Sequence, residues 1–453
     1  MSIRRRWLLI VAVVLLAVGL RALAVQRLPL DFDEPVYFEA GYAYAEAIRA
    51  GDLRQLVSND PTPEHPGLVK LLYAAVFLRH PPLPAGVPIG DTAAAGTTFE
   101  AWAANPANRP ALDQINAIFL GSRRASALFG VLHVLLLALV SPAAGALLAV
   151  HTYTVKYTAQ IYLEALPMLT ASVAVLAYMR ALAVSAGEQG GRGAVEQENA
   201  PLHSSSPLHP RSPAPLLFWW TLSAVALGLT AAGKYVYAVA GLAIAADYLW
   251  RWLSGRRAGV QGGWGAGEQG RKGAGEQGRA TEAAISPAPL HPRSPAPLLP
   301  LLAWGTLALL VFYAANPYLW TDPFGRLIDS ILFHAAFSQG EHVAQSGYPW
   351  WQPFVWLFTA QPATWHPGAI VTPLDTVTAA LGVIGLRPQW LSQGGRGRVI
   401  VLWWGMGLLF LLLWSTKWPQ YSLIMTAPMC LCAAAGLRWL WSRLPEEMWG
   451  RTA

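Results

Sequence analysis

Charge is what this chain has least of. Asp, Glu, Lys and Arg make up 13% of its 453 residues, and 54% are hydrophobic. A soluble domain carries about 25% charged residues, so a soluble globular fold is excluded. The mean hydropathy of +0.35 agrees with a membrane protein. Cysteine is nearly absent: Cys430 and Cys432 are the two, in one apolar run. Helical neighbours at that spacing point in different directions, which favours core packing over a disulfide or a metal pair. No G-x-x-x-x-G-K-[ST] loop and no dinucleotide fingerprint after a strand occurs. A lipid-linked donor is therefore expected in preference to a soluble nucleotide. The formal charge of +7 lies in short segments between apolar runs. It marks membrane orientation rather than nucleic-acid binding, and no nucleic-acid partner is expected.

What is present is apolar sequence in lengths that cross a bilayer. About 20 such residues are needed. About ten spans are read, at 7–25, 117–140, 142–157, 164–182, 215–232, 235–252, 298–316, 367–386, 399–415 and 420–437. The third is the shortest. Arg4-Arg5-Arg6 precede an apolar run longer than a signal-peptide core, with no clean cleavage site after it, so an uncleaved first span is expected. If these arginines are cytoplasmic, parity puts Arg180, Arg251, Arg256, Arg257, Arg387, Arg396, Arg398, Arg438 and Arg443 inside as well. Both termini are then cytoplasmic in a multi-pass plasma-membrane protein. The 21 tryptophans suit indole anchors at the headgroup level.

The organisation follows from these runs. Residues 1–183 form an N-terminal transmembrane catalytic part that includes an outer loop, 26–116. A low-complexity cytoplasmic insert occupies 184–214, a helix pair 215–253, and a second insert 254–297. The C-terminal part, 298–453, contains an outer loop at 317–366 that is rich in Trp, Tyr and Pro. The inserts share LHPRSPAPLL at 208–217 and 290–299, and their composition cannot bury enough apolar surface to fold. In the first outer loop, Pro35–Arg49 has an amphipathic pattern suited to a helix on the membrane surface. Leu68–Leu78 is a second helical stretch.

The carboxylates near these boundaries carry the chemical argument, because charge so close to hydrocarbon is costly. Asp33-Glu34 precede Pro35 and either cap a helix or supply a general base. Glu164, at the outer start of the fourth span, either caps it or binds a metal, orients an acceptor or raises the pKa of Asp33. Glu64 and His65, in the turn PEHPG, either lie at the surface or face a sugar or phosphate. Lys234, Lys417, Arg326 and the Arg123-Arg124 pair sit at the same predicted outer side. Each either snorkels or helps to bind a lipid phosphate.

These segments, in this order, resemble the GT-C membrane glycosyltransferases. The similarity is greatest to the branch of dolichyl-phosphate-mannose protein mannosyltransferases and bacterial aminoarabinose lipid A transferases. It runs through FDEPVYFEAGYAYAEAIRAGDL, EHPGLVKLLYA, RRASALFGVLHVLLL, YTAQIYLEALPML, LTAAGKYVYAVAG and KWPQYSLIMTAPMCL. It covers most of the chain outside the inserts. The resemblance implies an all-α, GT-C-like integral membrane bundle with membrane-parallel helices in its first outer loop. It implies transfer of a sugar from a polyprenyl phosphate on the outer face, usually with inversion. By resemblance Asp33 takes the catalytic base position, Glu34 its partner, and Glu164 the second acidic position. Lys234 and Lys417 match basic positions near the donor phosphate, with Tyr235 and Tyr421 beside them. Gly67 follows His65-Pro66 where many members have a second proline. Metal need varies within this fold, so a divalent metal stays open and no ligand set is assigned.

The expected function is thus a polyprenyl-phosphate-sugar-dependent membrane glycosyltransferase with membrane lipids around it. Its acceptor is a protein, lipid or glycan. The alternative is a transporter or flippase of a lipid-linked sugar or small solute. Transporters usually show two repeated halves, and the only clear repeat here lies in the inserts.

Overall fold

The computed structural model describes residues 2–58, 60–84, 86–89, 98–195, 214–254, 298–358 and 374–444. Their regular secondary structure is helical, with no strand among them. Helix α1 (Ile3–Arg27) starts where Ser2 Oγ accepts the Arg5 N–H at 3.3 Å and stops just before Pro29. Helix α2 (Glu34–Arg49) has Pro35 in its first turn, where the missing N–H costs nothing. Helices α3 (Leu68–Phe77) and α4 (Arg109–Val140) complete the N-terminal portion.

Ser141-Pro142 then ends one helix and starts another, α5 (Pro142–Val150). His151 is extended, and α6 (Thr152–Thr158) follows. The expected single span at 142–157 is therefore two short helices. Both pack against α1. Just before them, the Leu139 carbonyl of α4 accepts a bond from Arg6, and just after them the Ile161 N–H donates to Glu34 of α2.

Next come α7 (Ala165–Val195), α8 (Ala214–Gly233), α9 at 239–254, α10 (Leu298–Ala314) and α11 (Pro323–Phe337). The last three are α12 (Leu374–Gly395), α13 (Arg398–Leu413) and α14 (Thr426–Trp441). Helix α7 extends to Val195, into the segment assigned to the first insert. The remainder of that insert, nearly all of the second, and 359–373 lie outside the described residues.

Five helical segments among the described residues are long and apolar enough to span a bilayer: Ile3–Arg27, Pro106–Val140, Ala165–Ser185, Ala214–Gly233 and Pro419–Trp441. Helices α10 and α13 are apolar but have 17 and 16 residues. The molecule is a multi-span membrane bundle; among the described residues five helical segments have the length of a full span, where about ten spans were expected.

Close approach fixes part of its packing. A Cβ on Gly385 would lie 1.7 Å from the Cys432 carbonyl oxygen, and one on Gly436 would lie 2.4 Å from that of Leu381. Only glycines let α12 and α14 cross this closely.

Helix α2 falls where the sequence places it, but its apolar face is used differently. Tyr37, Phe38, Gly41, Tyr44 and Ala45 are buried, and Gly41 sits against Tyr73 of α3. The helix caps the bundle with that face turned into protein.

Candidate active site

The site is built on the turn between α1 and α2. Arg123 of α4 donates to the carbonyls of Val25, Leu28 and Pro29, and its Nε lies 2.7 Å from Glu34 Oε1. Glu34 also accepts the N–H groups of Asp31 and Ile161 at 3.0 and 2.8 Å. Both side chains are buried. Glu34, expected as the partner of the base, and Arg123, expected near the lipid phosphate, pair with each other and lock the turn that presents Asp33.

Asp33 occupies the N-cap position of α2 yet makes no capping hydrogen bond. Its carboxylate faces a cavity of about 500 Å³, where Gln420 Nε2 approaches to 3.5 Å. Burial pushes its pKa up to about 6, against the attraction of Lys234 and with help from the negative charges of Glu164 and Asp31. The neighbouring Asp31 lies 3.1 Å from Lys156 Nζ.

Lys234 lies on the same cavity wall, at the break between α8 and the turn Tyr235–Ala238. It pairs with Glu164, which is fully buried behind it and does not line the cavity. The ammonium sits 5.3 Å from the centroid of the Tyr421 ring, which also lines the cavity. Burying such a pair is tolerable because each charge neutralises the other.

The 60–67 turn also lines the cavity. Lys70, fully buried in α3, donates to both Asp60 oxygens at 2.7 Å and to the carbonyls of Thr62 and His65. Tyr44 adds a bond to Asp60 at 2.7 Å. This clamp holds Glu64 and His65 on the cavity. Burial raises the Glu64 pKa and drives that of His65 well down, keeping the imidazole neutral. The His65 ring lies 5.4 Å from that of His334 on α11, and Ser330 Oγ donates to the Glu64 carbonyl at 2.7 Å. Gly67 is explained here, because a Cβ would come 3.0 Å from the Tyr44 hydroxyl and 3.1 Å from Pro317. Its N–H donates to Asn316.

Asp33, Glu64, His65, Lys234 and Tyr421 therefore share one cavity. Three other expected binding residues do not reach it. Tyr235 packs edge-on against Phe312. Arg326 donates to the carbonyls of Val57 and Tyr318. Lys417 donates to the carbonyls of Leu411, Leu412 and Trp414 at the end of α13, where cations are favoured.

Sequence reasoning missed Asp31, Tyr37, Tyr157, Tyr162, His334, Tyr348, Trp418 and Gln420, all on the cavity wall. Tyr157 and Tyr162 flank the Glu164 motif, and Trp418 and Gln420 lie within KWPQY. Those motifs were thus the available signal. His334 and Tyr348 come from the second outer loop and carried none. Among the described residues, no group of three or more His, Cys, Asp and Glu side chains is placed to hold a metal ion.

The architecture is an all-α membrane bundle of GT-C-like topology. The crystal structure of ArnT from Cupriavidus metallidurans bound to undecaprenyl phosphate matches it with a TM-score of 0.54 at 13% identity. The match covers 99% of this chain and 62% of that one, so this chain spans less than two thirds of that protein's length. At this identity the likeness is one of fold. No protein-family model matches the chain, and no curated protein matches it.

Proposed function

We propose that the protein is a membrane glycosyltransferase that moves a sugar from a polyprenyl-phosphate donor to an extracytoplasmic acceptor. Asp33 is the general base. As the acceptor hydroxyl or amine bonds to the anomeric carbon, its proton passes to Asp33. The bond from that carbon to the phosphate oxygen breaks, and its electron pair stays on the phosphate beside Lys234. In-line displacement inverts the anomeric centre. Glu164 is a positioning residue that holds Lys234.

One observation carries this reading: Asp33 faces the cavity without a capping bond, with a pKa near 6, and Lys234 lines the same cavity. A base whose pKa lies close to the working pH is the most effective. The fold shared with ArnT, whose crystal structure holds undecaprenyl phosphate, favours a polyprenyl-phosphate donor. Both termini are assigned to the cytoplasm and the cavity to the outer face.

The test uses the full chain in proteoliposomes with a panel of polyprenyl-phosphate sugars and candidate acceptors, with products identified by mass spectrometry. A glycosylated acceptor supports the reading. Movement of the sugar lipid or of solute across the bilayer without any glycosyl product would replace it with the transporter reading.

A further inference from the structure

The second outer loop contains a helix whose exposed and bound faces are reversed from those of a surface helix in water. On α11, Phe324 is 80% exposed, and Ile328, Ile331 and Leu332 are exposed beside it. At about 100° per residue these four fall within one continuous apolar stripe. The opposite face carries the helix's protein-bound polar groups, with Phe333 and Phe337 beside them on the cavity. Arg326 reaches the carbonyls of Val57 and Tyr318, Ser330 reaches that of Glu64, and His334 lies against His65. The exposed Asp329 sits at the margin of the stripe. A helix in water would keep its polar face outside.

We infer that α11 is a monotopic helix that lies in the outer-leaflet surface of the bilayer, with its apolar stripe against lipid. Three observations select lipid over a protein partner. Helix α10, with Leu299, Leu302, Leu309 and Leu310 exposed, ends eight residues before α11 begins, so the two exposed surfaces follow each other directly. The junction carries Tyr313 and Trp320, both exposed and bonded reciprocally: Trp320 Nε1 donates to the Tyr313 carbonyl at 3.0 Å, and the Tyr313 hydroxyl to that of Trp320 at 2.9 Å. Paired aromatic residues with polar tips belong at the headgroup level. Finally, the 15 residues of α11 extend only about 22 Å, too short to span and long enough to lie flat.

This seating bears on the cavity. Phe333 and Phe337 of α11 line it, as do Leu30 and Phe32, the latter 75% exposed. With α11 in the surface, the cavity that it lines lies at the bilayer boundary, within reach of an amphiphile's headgroup. The inference about α11 stands independently of glycosyl transfer.

Single-cysteine labelling tests it, because Cys430 and Cys432 are fully buried and will not react. Ile328→Cys and Leu332→Cys, with Gln339→Cys as a polar control, would carry a fluorescent label in phosphatidylethanolamine–phosphatidylglycerol proteoliposomes. The expected result at 328 and 332 is strong quenching by nitroxide-bearing lipids, greatest for nitroxides about 5–10 Å below the surface, with loss of quenching by aqueous iodide. The control shows the reverse. Iodide quenching at 328 and 332 equal to the control would overturn the inference. So would protection from both quenchers, which would put protein on this face. These readouts need no activity, so their failure is separate from failure of the functional proposal.

Discussion

Glu34 Oε1 accepts a hydrogen bond from Arg123 Nε at 2.7 Å, both side chains are buried, and the pair closes the turn from α1 into α2. Removing one partner leaves an uncompensated charge. Glu34→Gln or Arg123→Met should cost about 3–5 kcal/mol. The outcome is a lower thermal midpoint and poor recovery of folded protein on size exclusion, with no specific change in substrate affinity. A variant with normal stability but no turnover would restore Glu34 to a direct chemical role.

Asp33 should behave in the opposite way. Asp33→Asn is expected to insert and fold normally while transfer falls by roughly 10²–10⁴, the usual contribution of a general base. Retained transfer would remove the assigned role. Stability gives a second readout. The folded-state pKa is raised, so the protonated form is favoured, and ionisation costs stability as pH rises through about 6. Asp33→Asn should therefore stabilise the protein at pH 7.5, by on the order of 1 kcal/mol, and not at about pH 4.

The same group sets the pH profile. Transfer needs the ionised carboxylate, so kcat/KM should rise with pH through an apparent pKa of about 6 and level off above it. Glu164 raises the Asp33 pKa by like-charge repulsion. Glu164→Gln should move that limb to lower pH. A profile that stays in place would separate Glu164 from Asp33.

Lys234 is the cavity cation, held by Glu164 and set over the Tyr421 ring. Lys234→Met should weaken binding of a polyprenyl phosphate about tenfold or more, measured by titration with the sugar-free lipid, because it removes a charge-assisted contact. Lys417→Met should leave that affinity unchanged, since Lys417 is occupied by the carbonyls ending α13. It should lower the thermal midpoint instead.

The crossing of α12 and α14 gives a test remote from the cavity. Gly385→Ala would put a methyl group into the Cys432 carbonyl and should destabilise by about 1–3 kcal/mol. Unchanged melting would mean that the two helices separate at little cost.

The membrane class was legible without coordinates, because low charge and long apolar runs are properties of composition and pattern. The start of α2 was equally legible, since Pro35 both permits and marks a first helical turn. The break at His151 was less so: Val150, His151 and Thr152 carry no strong breaker, and the extended backbone is supported by Thr152 N–H donating to Asp375, over 200 positions away. The choice between Asp33 and Glu34 was also hidden. They are adjacent and chemically alike, and only the distant Arg123 commits one of them.

By itself, then, the sequence determined that this chain lives in a bilayer, where its helices begin near prolines, and which acidic and basic residues were candidates. Tertiary structure alone decided which candidates face the cavity. It turned Arg326 and Lys417 onto backbone carbonyls, put Glu164 behind Lys234, and brought His334 across to His65. The physical reason is that a side chain's charge and reach are local properties, whereas its burial and its partner depend on what the rest of the chain packs against it.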